Sequence, residues 1–149
     1  MDDNYKDAVE HLFVAEGYKS NDKYDPGRLT IWGIAEKYHP DVVAEIAGLP
    51  PDKAKERAIK FYYDEYWVPN GCTSLPFPID WITFEVAVNP GRNWTETYRN
   101  NCIGCWWRDL LFRRLKYYCT VKEVLRRRYI QGWLNRVVLL WEKLTAKKL

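Results

Sequence analysis

The sequence predicts a mainly α-helical fold, and three observations carry that prediction. Apolar residues recur at three- and four-residue intervals through most of the chain, no stretch keeps the strict alternation of a half-buried strand, and the helix-like stretches are separated by proline, glycine and capping residues. With 149 residues, 47% of them hydrophobic and 8 of them Trp, the chain can bury a real core. Its length suits one compact domain, or one domain with a helical tail.

The first helix follows from Tyr5, Val9, Leu12 and Phe13, which share one helical face. Glu16 returns to nearly the direction of Tyr5, so a carboxylate ends the apolar stripe, and Gly17 follows as the residue type that closes helices in the left-handed conformation. Glu16 is therefore expected in the last turn, pointing inward or into a cleft. Residues 18–29 form a polar loop containing Asp25-Pro26-Gly27. Ile31, Ile34, Ala35 and Tyr38 then suggest a short helix from Thr30, stopped by Pro40. Asp41 can cap a helix to Ala47, and Gly48-Leu49-Pro50-Pro51 breaks the chain. Asp52 can cap a longer helix through Trp67, whose Ala58, Ile59, Tyr62, Tyr63, Tyr66 and Trp67 give a wide aromatic face. Pro78 suits the first turn of the next helix, in which Ile79, Ile82 and Val86, with Trp81 and Phe84 as further candidates, face inward until Pro90-Gly91, and Glu85 and Asn89 share one face at i and i+4. From Trp94 the helical pattern runs to Cys119, with a break expected at Gly104. Thr120-Val121-Lys122-Glu123 has the form of a capping box, so a new helix starts there and carries Val121, Val124, Leu125, Tyr129, Trp133, Val137 and Leu140.

Glu16, Asp25 and Thr30, in this order and spacing, resemble the acid, carboxylate and hydroxyl set of lysozyme-like muramidases. The surrounding residues resemble the family-108 glycoside hydrolases in particular: Glu16-Gly17, Asp25-Pro26-Gly27, Thr30 and Gly33-Ile34 match that family's opening block without a gap. Ala58 to Trp67, Leu75-Pro76 and Ala87-Val88-Asn89-Pro90-Gly91 are similar to its second block, and Gly132 to Val137 to its C-terminal peptidoglycan-associated segment. Tyr18 and Lys19 stand where the family has Gly-Tyr, Arg28 replaces a loop glycine, and Glu85 replaces Asp. The resemblance implies a lysozyme-like helical domain over residues 1–107 with a small β-hairpin after the first helix. A basic C-terminal helical segment over 108–149 is expected to pack on the same domain.

The resemblance also implies the activity, hydrolysis of the β-1,4 bond between N-acetylmuramic acid and N-acetylglucosamine in peptidoglycan. Such hydrolysis needs a proton donor for the leaving oxygen and either a nucleophile or a base that activates water. Glu16 takes the place of the acid, Asp25 on its polar loop that of the ionised partner, and Thr30 can hold the water. Tyr18, Tyr24, Tyr66, Glu85 and Asn89 are candidate substrate contacts, the tyrosines because aromatic faces stack on sugar rings while their hydroxyls reach polar substituents. Plain turn chemistry at Asp25-Pro26-Gly27 and an N-cap at Thr30 are the simpler alternatives.

Charge is unevenly spread. Residues 1–107 carry 11 basic and 17 acidic side chains, whereas 108–149 carry 12 and 3, so the tail can attract an anionic envelope. No apolar run approaches the ~20 residues needed to span a bilayer, and Met1-Asp2-Asp3-Asn4 lacks the features of a signal peptide. The expected setting is that of a monomeric phage endolysin, held in the host cytoplasm until lysis and then acting in the periplasm or cell wall. Cys72, Cys102, Cys105 and Cys119 are expected to be reduced, with no cofactor and no metal, since Cys102-Ile103-Gly104-Cys105 lacks a second ligand pair. Nucleic acid is not an expected partner. A lytic transglycosylase, which needs one acid/base group alone, and a non-enzymatic wall- or nucleic-acid-binding helical protein are the rival readings.

Overall fold

The structure, a computed structural model, describes residues 3–20, 29–89 and 107–146. Among them are six α-helices and a small three-stranded antiparallel sheet, so the protein is mainly α with a hairpin after its first helix, as expected. The chain divides into two compact units, Met1–Pro69 and Asn70–Leu149.

In the first unit, α1 (Asp3–Glu16) buries Tyr5, Ala8, Val9, Leu12 and Phe13, the stripe that its spacing dictates. Gly17 ends it with φ +75° while its N–H donates to the Phe13 carbonyl at 3.0 Å. The chain returns through β1 (Lys19–Ser20) and β2 (Thr30–Ile31), with Lys19 opposite Ile31 and Ser20 opposite Thr30. The expected helix from Thr30 to Tyr38 is absent, and β3 (Ile34–Ala35) folds back on β2. The physical reason is the pair Trp32 and Gly33, at φ 51° and 78°, which makes a two-residue hairpin turn of the kind that matches strand twist. Ile31 and Ile34 stand opposite each other and both are buried, so their three-residue interval reflects a turn rather than a helical repeat.

The next helix, α2 (Pro40–Ala47), starts on Pro40 rather than after it, because a proline at the first helical position has no N–H to leave unsatisfied. For the same reason α3 (Pro51–Tyr62) starts one residue before Asp52. It continues as a π-helical turn over Tyr63–Trp67, closed by the Val68 N–H on the Tyr63 carbonyl at 3.0 Å. That wider turn shifts the aromatic face, leaving Tyr63 and Tyr66 half-buried while Phe61, Tyr62 and Trp67 are buried. Tyr5 joins α1 to this segment. Its ring lies 4.9 Å from Tyr63 and 5.1 Å from Trp67, and its hydroxyl donates to the Ile59 carbonyl.

In the second unit, a 3-10 turn (Cys72–Ser74) leads to α4 (Ile79–Val88), in which every residue from Asp80 to Ala87 is buried. Of the expected inward residues, Trp81, Ile82, Phe84 and Val86 are buried and Ile79 is half-buried; Asp80, Thr83, Glu85 and Ala87 join them because a helix buried on all sides has no single inward face. Then come α5 (Trp107–Thr120), packed on α4, and α6 (Glu123–Ala146), packed on α5. The expected helical run over 94–106, with Gly104, Cys102 and Cys105, lies outside the described residues. A new helix does begin after Thr120, but not by a capping box: the Thr120 hydroxyl donates back to the Tyr117 carbonyl at 2.7 Å. Arg126 instead ties the corner by donating to the Cys119 carbonyl at 3.0 Å, the kind of contact that satisfies a helix C-terminus. On α6, Val137, Leu140 and Leu144 are buried, whereas Val124 is 82% exposed and falls off the stripe.

Burial, followed by the nearby charge of Asp64, pushes the Tyr5 hydroxyl pKa above its ordinary value. The folded chain therefore keeps a proton that the unfolded chain releases at about pH 10. This contribution is complete below that pH and declines as pH rises above it. Tyr5→Phe should lower stability near neutral pH by about 1 kcal/mol and flatten the alkaline decline. Urea unfolding from neutral to alkaline pH checks this, and identical slopes for the two proteins would contradict it.

Candidate active site

Three elements of the first unit meet around Glu16. The end of α1 supplies the carboxylate, half-buried in its last turn. The β2–β3 turn lies against the side chain, so that a Cβ built on Gly33 would fall 2.9 Å from Glu16 Cγ and 3.2 Å from its Cβ. The third element is α3, whose Tyr62 hydroxyl would be 2.7 Å from the same Cβ and donates to the Trp32 carbonyl at 3.0 Å. The Trp32 indole adds an aromatic wall, with Phe13 at 4.8 Å, Tyr18 at 5.0 Å and the Lys55 ammonium at 5.9 Å from its ring. The half-buried Glu16 carboxylate and the exposed Tyr18 ring supply a group that can deliver a proton and one that can hold a sugar ring.

The other residues singled out in the sequence fall as follows. Thr30 opens β2, opposite Ser20 and Ala35. Tyr18 is 49% exposed and packs edge-on against Trp32, while its carbonyl accepts the Trp32 N–H at 2.7 Å. Tyr66 is half-buried, its ring 5.6 Å from that of Tyr62. Asp25 and Tyr24 lie outside the described residues. Trp32 and Tyr62 were not among the candidate site residues. Sequence spacing placed Trp32 in a helix and Tyr62 in a core face, and the signal that could have found the turn was Trp32-Gly33 between two apolar pairs.

Glu85 and Asn89 belong to the second unit. Asn89 is half-exposed at the end of α4, its N–H donating to the Glu85 carbonyl at 3.0 Å. The Glu85 side chain is 2% exposed and turned into the core. It lies 3.3 Å from Arg136 and 3.6 Å from Arg114, both buried. Arg114 in turn donates to the Tyr118 hydroxyl at 2.8 Å, and Tyr118 stacks on Trp133 at 5.0 Å. One carboxylate on α4 thus holds guanidinium groups from α5 and α6.

Between α5 and α6 runs an open groove lined by Leu111, Phe112, Leu115, Val137, Val138 and Trp141. It contains no titratable side chain and offers no acid or base for bond cleavage. Among the described residues no group of three His, Cys, Asp or Glu side chains is placed to hold a metal ion, and no helix is long and apolar enough to cross a membrane.

A family model described as Glycosyl hydrolase 108 matches residues 9–91. That stretch contains Glu16, Asp25, Thr30, Glu85 and Asn89. Among solved structures, the chain is similar to one titled "Structure of Brucella abortus SagA", with 20% identity, a TM-score of 0.74, and coverage of 95% of this chain and 94% of that one. At that identity the likeness speaks for the fold. No curated protein matches.

Because removing one partner leaves buried charge uncompensated, Glu85→Gln should cost about 3–5 kcal/mol in urea unfolding. Glu56→Gln, at the exposed Lys53–Glu56 pair, should leave stability unchanged. Similar small effects for both variants would contradict the role given to Glu85.

Proposed function

This chain belongs to the glycosyl hydrolase 108 family and is thus a glycoside hydrolase of the peptidoglycan-degrading type, and on that premise we propose that it is a muramidase cleaving the β-1,4 bond between N-acetylmuramic acid and N-acetylglucosamine, with Glu16 as general acid. The observation that carries the reading is the placement of Glu16. It is a half-buried carboxylate at the end of α1, its stem against the β2–β3 turn.

In this reading Glu16 protonates the glycosidic oxygen as the bond to the anomeric carbon breaks. The Asp25 carboxylate accepts a proton from a water molecule that attacks the opposite face of the sugar, and the Thr30 hydroxyl holds that water. The outcome is a single displacement with inversion. Tyr18, Tyr24, Tyr66 and Asn89 are the proposed substrate contacts, while Glu85 holds α4 to the C-terminal helices. The protein acts as a monomeric phage-type endolysin, kept in the host cytoplasm until the membrane is breached and then acting on the wall. Its basic C-terminal segment draws it to the anionic envelope, and nucleic acid is not a partner.

Two measurements test this. Glu16→Gln should reduce release of soluble fragments from purified peptidoglycan by about 10²–10⁴-fold, since that is the usual contribution of a positioned acid, while leaving the thermal midpoint nearly unchanged. Release at the wild-type rate would remove Glu16 from the mechanism. Wall binding and activity should also fall as salt rises through the range in which the Debye length shrinks from ~30 Å to a few Å. Constant activity over that range would reject electrostatic recruitment by the tail.

A further inference from the structure

The Trp32–Gly33 turn touches the stem of Glu16 while carrying no acid or base of its own. Gly33, at φ 78°, has no Cβ, and one built there would meet Glu16 Cγ at 2.9 Å and the Tyr62 hydroxyl at 2.7 Å, closer than real Cβ contacts come. Backbone therefore fills the space on one side of the glutamate stem. Its neighbour Trp32 takes φ 51°, a left-handed conformation rare for a bulky residue. Strain of this kind persists only where the surroundings over-determine it, and it gathers at functional sites. Here the turn is held on three sides. The Tyr62 hydroxyl bonds the Trp32 carbonyl, the Tyr18 carbonyl accepts the Trp32 N–H, and the indole packs against Phe13 and Tyr18.

We infer that the Trp32–Gly33 turn, latched by the Tyr62 hydroxyl, is a positioning device that fixes the rotamer of Glu16. The inference rests on the reading of Glu16 as the acid. A glutamate in the last turn of a helix has several staggered rotamers open to it. A backbone wall against its Cβ and Cγ excludes those that swing toward the turn and so narrows the directions open to the carboxyl group. Geometry of this kind matters because a misplacement of about 1 Å can reduce a rate about 100-fold. Gly33 and Tyr62 are thus positioning residues that act through Glu16.

The test uses the full chain and four variants: Gly33→Ala, Tyr62→Phe, the double variant, and Ile46→Val as a control for loss of buried volume. kcat and KM are measured on soluble peptidoglycan fragments. The ¹³C carboxyl resonance of Glu16, assigned with Glu16→Gln, is recorded for each protein. Gly33→Ala should lower kcat by about 100-fold and shift the Glu16 resonance. KM should change by less than about twofold, because ground-state binding is untouched. Loss of one hydrogen bond in Tyr62→Phe should lower kcat by about fivefold. The double variant should be more active than Gly33→Ala, since the hydroxyl is the atom nearest the added methyl group. Ile46→Val should move neither kcat nor the resonance. A Gly33→Ala protein that folds with an unmoved Glu16 resonance would overturn the inference. If Gly33→Ala does not fold, an unmoved resonance in Tyr62→Phe does the same. Wild-type protein inactive on the fragments would instead remove the acid role, while the resonances still decide whether the turn positions Glu16.

Discussion

The contact between the Gly33 backbone and the Glu16 side chain is the constraint on which the first unit depends. It requires α1 to end at Glu16, which Gly17 enforces by turning left-handed at φ 75°. The chain must then return through a hairpin tight enough to bring Gly33 against Glu16, which the two left-handed residues at the turn allow. It also requires α3 to lie close enough for the Tyr62 hydroxyl to reach the Trp32 carbonyl, and Tyr5 secures that by bonding Ile59 of α3 from the buried face of α1. Helix, hairpin and second helix thus converge on one half-buried carboxylate.

The second unit is organised by a different force. Glu85, Arg114 and Arg136 lie in its interior, where desolvation of three charged groups is costly and attraction offsets it only with good geometry. Such a cluster is better suited to fixing which helices pair than to adding stability. It also alters the meaning of the tail's charge. Two of the twelve basic side chains in residues 108–149 are turned inward toward an acidic partner from α4, so the field that the tail presents to an envelope is weaker than the residue count implies.

The helices were legible in the sequence wherever one face is buried and the other is wet. α1 is the clearest case, with Tyr5, Val9, Leu12 and Phe13 all buried and Gly17 closing the helix as its residue type suggests. Legibility failed where a local device overrode periodicity. A two-residue turn made Ile31 and Ile34 look helical, a π turn left Tyr63 and Tyr66 only half-buried, and burial on every side of α4 took in residues beyond its expected inward set. In the site, Glu16 was visible as the charged end of an apolar stripe. Trp32 and Tyr62 were not, because their importance comes from a contact between residues 30 positions apart. For Glu85, spacing gave the helical face shared with Asn89, and only tertiary structure supplies the arginines beside its buried side chain.

The reading of Glu16 as the acid of a hydrolytic muramidase can be decided on the chemistry of the new chain ends. Purified peptidoglycan is digested with the protein, the fragments are reduced with borohydride, and their ends are identified by mass spectrometry. A hydrolase acting through Glu16 leaves N-acetylmuramic acid ends that take up reducing hydrogen, and Glu16→Gln reduces their yield to a trace. Anhydro ends would contradict that reading by showing intramolecular transfer in place of hydrolysis, and an absence of fragments with the wild-type protein would contradict it altogether.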